Sequence, residues 1–271
     1  MSVKRVLIFD SGVGGLSVFE QVIKLNPSIQ CQYLFDNAYF PYGELKQTQL
    51  VARLTQLLTD FLVQYPAQLI VIACNSASTI ALKALRQHFS IPIVGVVPAI
   101  KPASAVTRNN VIGLLATPGT IARDYTHQLI AQFAAGKTVL SIGSTQLVKL
   151  AEDKLKGKTL DQEELLTILA PWLNQQTAMP DTLVLGCTHF PLLKPEIQKC
   201  FKKPVNLVDS GEAIALRVKQ LLCDVKDGSL PFAKEPHQAF YTKAFNNTQH
   251  LASLSNSFTK YGFSSLACCE L

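Results

Sequence analysis

Leu183-Val184-Leu185-Gly186-Cys187-Thr188-His189-Phe190-Pro191 is the stretch from which the fold is read. The run from Thr182 to Leu185 makes a short buried strand that breaks at Gly186, and Pro191 suits the first turn of a helix. A thiol, a hydroxyl and an imidazole are thereby delivered to the loop beyond the strand. In open α/β sheets, the loop at the carboxyl end of a parallel strand is where ligands bind. Much the same run occurs 113 residues earlier, as Leu69-Ile70-Val71-Ile72-Ala73-Cys74-Asn75-Ser76. Two segments of strand, small residue and cysteine in matching contexts point to a paired device.

Outward from these two runs the chain alternates apolar strands with amphipathic helices. Strands are predicted at 6–9, 33–35, 69–73 and 93–97, with helices ending near Leu25, spanning 46–65 and covering 80–89. Leu50, Leu54, Leu57, Leu58 and Phe61 fall at helical spacing. A second series starts with a strand at 111–115, a Pro-Gly turn, and a helix from Ile121 to Phe133. It continues with a strand at 138–142, helices at 146–154 and 161–176, the 182–185 strand, a helix at 194–201 and a strand at 205–208. Asp209 or Ser210 caps a helix reaching Cys223. A polar loop, a strand near Phe240, a helix at 250–261 and a strand near Leu266 close the chain. Strands alternating with helices predict an α/β fold, with mostly parallel sheets covered on both faces. Because the two series repeat in order and offset, we expect two similar α/β domains with a site in the cleft between them. Their expected boundaries are 1–97 with 209–271 (carrying Asp10 and Cys74) and 98–208 (carrying Cys187 and His189).

Composition bounds the function. At 271 residues the chain can bury a large core; 48% of it is hydrophobic and 16% charged, as in an ordinary globular protein. The net charge of +6 comes from scattered Lys and Arg, not the one-sided clustering that a nucleic-acid footprint needs. No charged-then-apolar leader opens the chain and no run approaches 18 apolar residues, so neither export nor a membrane span is expected. The seven cysteines are odd in number and show no C-x-x-C spacing; free thiols in a reducing cytoplasm are the expectation. No metal site is expected, since only Cys187-x-His189 approaches ligand spacing. Gly12-x-Gly14-Gly15 has Ser17 where a dinucleotide fingerprint needs its third glycine, and no P-loop occurs. No cofactor is expected.

A thiolate is both a nucleophile and a usable base. Two thiols facing each other across a cleft would give a bound carbon acid one base on each side. One could remove a proton while the other returned one from the opposite face, which inversion of a stereocentre requires. Asp10 and His189 are placed to tune or orient these thiols. Ser11 and the amides after it open a helix, a natural carboxylate site. Asn75, Ser76 and Thr188 bring amide or hydroxyl donors beside each thiol. Cys31, Cys200, Cys223, Cys268 and Cys269 are read as small buried hydrophobes. His88, His127, His237 and His250 are read as surface or satisfied residues of helices and loops.

Six segments then carry a family resemblance: Phe9–Gly15, Pro41–Gly43, Ala73–Ser78, Gly95–Ile100, Leu185–Leu193 and Val208–Gly211. In order and spacing they resemble the cofactor-independent glutamate racemases of the aspartate/glutamate racemase superfamily. The resemblance implies Cys74 and Cys187 as paired acid/base groups, with Asp10 assisting the first and His189 the second. It implies substrate contacts from Asp10, Ser11, Pro41, Tyr42, Gly43, Asn75, Ser76, Thr188 and His189. It also suggests that Glu152 stands near the histidine and that Thr117 and Thr120 face the ligand. The family commonly has Thr where Ser76 stands, and the hydroxyl is kept. The long leading segment that binds a cell-wall precursor in some members is not seen, so the resemblance does not imply that regulation. The expected partner is a small molecule, glutamate, supplied as its D-enantiomer to peptidoglycan synthesis; a homodimer is one assembly the chain allows.

Other readings stay open at this stage. An aspartate or hydantoin racemase, or a decarboxylase of the superfamily, would share the scaffold, although a decarboxylase needs only one cysteine. A Cys-His acyl-transfer enzyme would use Cys187 and His189, residues whose i, i+2 spacing seldom converges into a dyad. A non-catalytic two-lobed binding protein would be exported.

Overall fold

The computed structural model describes residues 3–174, 179–224 and 235–269. The chain runs β1 (Arg5–Asp10), α1 (Leu16–Leu25), β2 (Gln30–Phe35), α2 (Gln47–Gln64), β3 (Leu69–Ile72), α3 (Asn75–His88) and β4 (Ile93–Gly95). A second series follows: α4 (Ile100–Val106), β5 (Val111–Ala116), α5 (Pro118–Ile121), α6 (Asp124–Phe133), β6 (Thr138–Gly143), α7 (Gln146–Leu155), α8 (Gln162–Leu173), β7 (Thr182–Leu185), α9 (Lys194–Lys199) and β8 (Asn206–Val208). The chain closes with α10 (Gly211–Asp224), β9 (His237–Tyr241), α11 (Thr248–Lys260) and β10 (Phe263–Cys268).

The strands form two sheets, ordered β10-β9-β2-β1-β3-β4 and β6-β5-β7-β8, and every pairing between them is parallel. The order β2-β1-β3-β4 in the first sheet recurs as β6-β5-β7-β8 in the second. In such doubly wound sheets the strand order reverses beside the first strand, and a crevice opens there at the carboxyl ends. Asp10 ends β1 and Cys74 follows β3; Ala116 ends β5 and Cys187 follows β7. The two cysteines therefore occupy equivalent positions at two equivalent switch points.

Parallel strands buried on both faces carry continuous apolar runs, and successive side chains supply opposite cores. Val6 and Ile8 pack with α1, α10 and α11 residues such as Phe19, Val218 and Phe258. Leu7 and Phe9 point the other way, into Leu50, Leu54, Leu57, Leu58 and Phe61 of α2. In the second sheet Leu183 and Leu185 meet Leu147, Leu165 and Trp172, while Val184 joins Ile112 and Leu114 against the α4–α6 side.

Several expectations are corrected. The helix after β3 begins at Asn75, not near Ile80. Asn75-Ser76-Ala77-Ser78 lacks apolar periodicity, but the Cys74 sulphur accepts the Ala77 N–H and Ser78 Oγ bonds Ile72 O, so capping and side-chain bonds start the helix early. The helix expected from Ile121 to Phe133 is two pieces, because Arg123 is extended (φ −82°, ψ 139°). The 93–97 strand stops at Gly95, and α4 was not foreseen. His237 lies in a strand, where its Nδ1 accepts the Cys31 N–H. Cys223 and Cys268 are exposed, unlike the buried Cys31, Cys200 and Cys269. The polar loop after Cys223 lies largely outside the described residues, as does the tail of the 161–176 helix. The final stretch does return to the first sheet, as edge strand β10.

Candidate active site

A narrow cleft lies between the carboxyl ends of the two sheets. Ser11, Pro41, Tyr42, Gly43, Cys74, Asn75 and Ser76 line it from the first sheet's side. Thr117, Thr120, Cys187, Thr188 and His189 line it from the second. Asp10 and Glu152 do not line the cavity; they stand behind it.

On the Cys74 side, Asp10 is fully buried and accepts the Ser11 N–H at 2.5 Å and the Thr188 hydroxyl at 2.8 Å. Ser11 Oγ lies 3.2 Å from Asp10 Oδ1 and 3.7 Å from Cys74 Sγ, bridging carboxylate and thiol. Burial pushes the Asp10 carboxyl up, against the pull of His189 and its hydrogen bonds. Burial, then the Asp10 charge, pushes the Cys74 thiol up to about 12. At neutral pH Cys74 is therefore a thiol.

On the Cys187 side, His189 Nδ1 is 3.7 Å from Cys187 Sγ and its Nε2 is 2.9 Å from Glu152 Oε1. The same Glu152 oxygen accepts the Val13 N–H at 2.8 Å, and the other pairs with Lys156 at 3.3 Å. Burial pulls His189 down, but Cys187 and Glu152 outweigh it and hold the imidazole well above its usual value, as a cation. Burial raises Glu152, yet the His189 bond and charge outweigh it and the carboxyl stays below its usual range. Cys187 and His189 thus do converge, contrary to what their i, i+2 spacing suggested: the 3₁₀ turn at Phe190–Leu193 starts at His189 and turns its ring back onto the thiol.

Close backbone approach shapes this corner. A Cβ on Gly14 would sit 2.4 Å from His189 Nδ1, and one on Gly12 would sit 2.2 Å from Glu152 Oε1. The Gly12–Gly15 turn leaves room for the imidazole and its carboxylate. Thr117 caps α5 and bonds Thr120 Oγ at 2.9 Å, so both hydroxyls are held against the cavity.

The sequence pattern described as Asp/Glu/Hydantoin racemase matches residues 18–218. The chain belongs to that racemase family. It is 54% identical over 221 residues to the glutamate racemase of Vibrio parahaemolyticus, covering 82% of this chain and 80% of the relative. It is 50% identical over 262 residues to that of Vibrio vulnificus, covering 97% and 95%. Its fold matches Escherichia coli glutamate racemase, solved with L-glutamate and the activator UDP-MurNAc-Ala, at TM-score 0.92 and 44% identity over 98% of both chains. Glutamate racemase isoform RacE1 of Bacillus anthracis matches at TM-score 0.78 and 28% identity, over 100% and 99%.

Sequence reasoning missed four residues of this racemase site. Phe40, Thr145 and Val148 also line the cavity. Thr145 could have been found as the residue before a helix that follows a strand end. Phe40 and Val148 carry only apolar surface and leave no motif. Asp36 is fully buried and accepts the Tyr42 hydroxyl at 2.7 Å; its other partners, Arg53 and Thr242, come from other elements, so no local pattern marks it.

Proposed function

We propose that the chain interconverts L- and D-glutamate by passing a proton at Cα between Cys74 and Cys187. The observation that carries this reading is the arrival of both thiols in one cavity from equivalent ends of a repeated fold. One thiolate takes the Cα proton from one face of the bound glutamate, leaving a carbanion conjugated with the α-carboxylate. The opposite thiol gives its proton to the other face. One proton leaves and one arrives, the configuration inverts, and the two cysteines exchange protonation states. A single immobile base would return the proton to the face it left.

Environment divides the starting roles. Cys74, buried beside Asp10, begins as the acid. Cys187 has the His189 cation at 3.7 Å and takes the opposite role of base. Asp10 acts through Ser11 on Cys74, and Glu152 acts through His189 on Cys187. Asn75, Ser76 and the first amides of α3 offer donors to a substrate carboxylate, with Thr117, Thr120, Tyr42 and Gly43 completing the wall. The cavity's burial strengthens each of these charge interactions.

L-glutamate in the E. coli relative supports glutamate as the small-molecule substrate. That relative aligns over 98% of both chains and was solved with an activator, which supports activation by a small molecule here too. We take 1–97 with 209–271 as the domain of Cys74 and 98–208 as that of Cys187. Every residue named comes from one chain, so the chemistry does not require a dimer. The D-glutamate made in the cytoplasm would enter peptidoglycan synthesis. No helix among the described residues is long and apolar enough to cross a membrane. An acyl-transfer enzyme could use the Cys187–His189–Glu152 row, but Cys74 would then have no work.

The test is to convert each cysteine to serine and follow both enantiomers in deuterated solvent. Racemisation should fall by at least about 10²–10⁴-fold in either variant and in both directions. Cys74→Ser should stay folded, since a hydroxyl can still accept the Ala77 N–H. Near-normal racemisation by either variant would rule out the two-base reading, and turnover of aspartate in place of glutamate would move the substrate.

A further inference from the structure

Arg123 is the residue at which the site carries charge that the two-thiol mechanism leaves unused. Its backbone joins α5 to α6, and its carbonyl accepts the Thr126 and His127 N–H groups. Its side chain turns toward the seam between the two α/β units. A Cβ placed on Gly119 would lie 3.8 Å from Arg123 Nη2 and 2.9 Å from the Gly43 carbonyl. The guanidinium therefore stands just behind the stretch of cavity wall that Gly43 forms. Its Nε is shielded from solvent and has no hydrogen-bond partner among the described residues, and no described carboxylate lies within ion-pair distance. Burial pulls its pKa down, and ionisation of Cys74 would work in the opposite sense, so the guanidinium and that thiol share one electrostatic environment.

An unpaired, half-buried guanidinium is costly to hold. Its planar fork matches a carboxylate better than any other protein cation does. The other ionised groups around the cavity are already matched: Glu152 pairs with His189 and Lys156, and Asp10 takes four hydrogen bonds. The substrate proposed above brings one ammonium and two carboxylates, leaving one negative charge in excess. The ammonium belongs toward Asp10 and away from Arg123. The α-carboxylate must lie next to the carbon held between the thiols, within reach of Asn75 and Ser76. The distal carboxylate is the anion left over, and Arg123 is the cation left over.

We propose that Arg123 is a specificity-determining residue that supplies the counter-charge for the distal carboxylate of glutamate on the Gly43–Gly119 side of the cavity. The inference rests on glutamate as substrate. The experiment measures kcat and KM for both enantiomers in wild type, Arg123→Gln and Arg123→Lys, with glutamine as a competitive inhibitor that lacks the distal charge. Arg123→Gln should raise KM about tenfold, the worth of a hydrogen bond to a charged group. It should leave kcat within about threefold and the inhibition constant for glutamine unchanged; Arg123→Lys should recover most of the loss. Melting of Arg123→Gln should match wild type, because the side chain gives up no partner. An unchanged KM would overturn the assignment. Equal weakening of glutamine and glutamate would overturn it in favour of the α-carboxylate. A fall in kcat with a displaced pH profile would overturn it in favour of a counter-charge for the Cys74 thiolate. Wild-type protein inert toward glutamate would instead refute the functional reading, and that outcome is separate from all three.

Discussion

Glu152 is buried, and both its oxygens are engaged, by Val13 N–H, His189 and Lys156. Glu152→Gln keeps the shape and one acceptor but removes the charge that holds His189 protonated. The imidazole should then titrate lower and assist Cys187 less well as the base. We expect kcat to fall roughly tenfold to a hundredfold, within the range of a weakened acid/base group, and the alkaline limb of the pH profile to move down. Stability follows the same pair with a definite sign. Glu152 is depressed, so its contribution is present above the unfolded carboxyl value and lost as pH falls through the folded one. His189 is raised, so its contribution is present below the unfolded imidazole value and lost as pH rises through the folded one. The melting difference between wild type and Glu152→Gln should be widest between about pH 4.3 and 6.5, the unfolded values of the two groups. A difference independent of pH would show that the charge of the pair contributes nothing.

At the scale of elements, the segment between β2 and α2 shows what a motif leaves out. The sequence marks Pro41-Tyr42-Gly43 by resemblance, yet nothing local says why the turn holds its place. Its support is Asp36, buried with the Tyr42 hydroxyl at 2.7 Å, Arg53 Nε and Nη2 at 2.9 and 3.0 Å, and Thr242 Oγ1 at 2.5 Å. Arg53 lies one helix away and Thr242 in the returning C-terminal part, so only the fold brings them to one carboxylate. Arg53→Met would leave that carboxylate buried without its cation, and breaking a buried pair from one side costs roughly 3–5 kcal/mol. We expect a clear drop in melting midpoint and, because Tyr42 and Gly43 line the cavity, a rise in KM that exceeds any fall in kcat. Unchanged KM with lowered melting would make the network a stabiliser of the fold alone. The opposite case is α2, whose Leu50, Leu54, Leu57, Leu58 and Phe61 were legible because one helical stripe meets one sheet face; all five are fully buried.

Over the whole molecule, the repeat was legible and the joint was not. Apolar runs of strand length, each followed by a turn and a helical stripe, identify the two α/β units, and the matched cysteines point to their common site. The bonds that join the units were invisible, because each links residues far apart in sequence. Thr188 reaches Asp10, Ser17 donates to the Thr188 carbonyl at 2.8 Å, and Glu152 takes the Val13 N–H. The seam also depends on a side chain that is missing. Gly119 meets the Gly43 backbone so closely that a Cβ there would lie 2.9 Å from the Gly43 carbonyl, a distance that something must give way to relieve. Gly119→Ala should wedge the units apart by a few tenths of an ångström and lower kcat/KM roughly tenfold for both enantiomers, since catalysis is sensitive to displacements of that order. Gly136→Ala is the matched control: Gly136 has φ +77° with nothing near its Cβ, so it should cost about 1 kcal/mol of backbone strain and leave kcat/KM alone. If Gly119→Ala turned over glutamate as well as Gly136→Ala does, the spacing of the two thiols would have to be set elsewhere, by the hydrogen bonds from Thr188 and Glu152 across the seam.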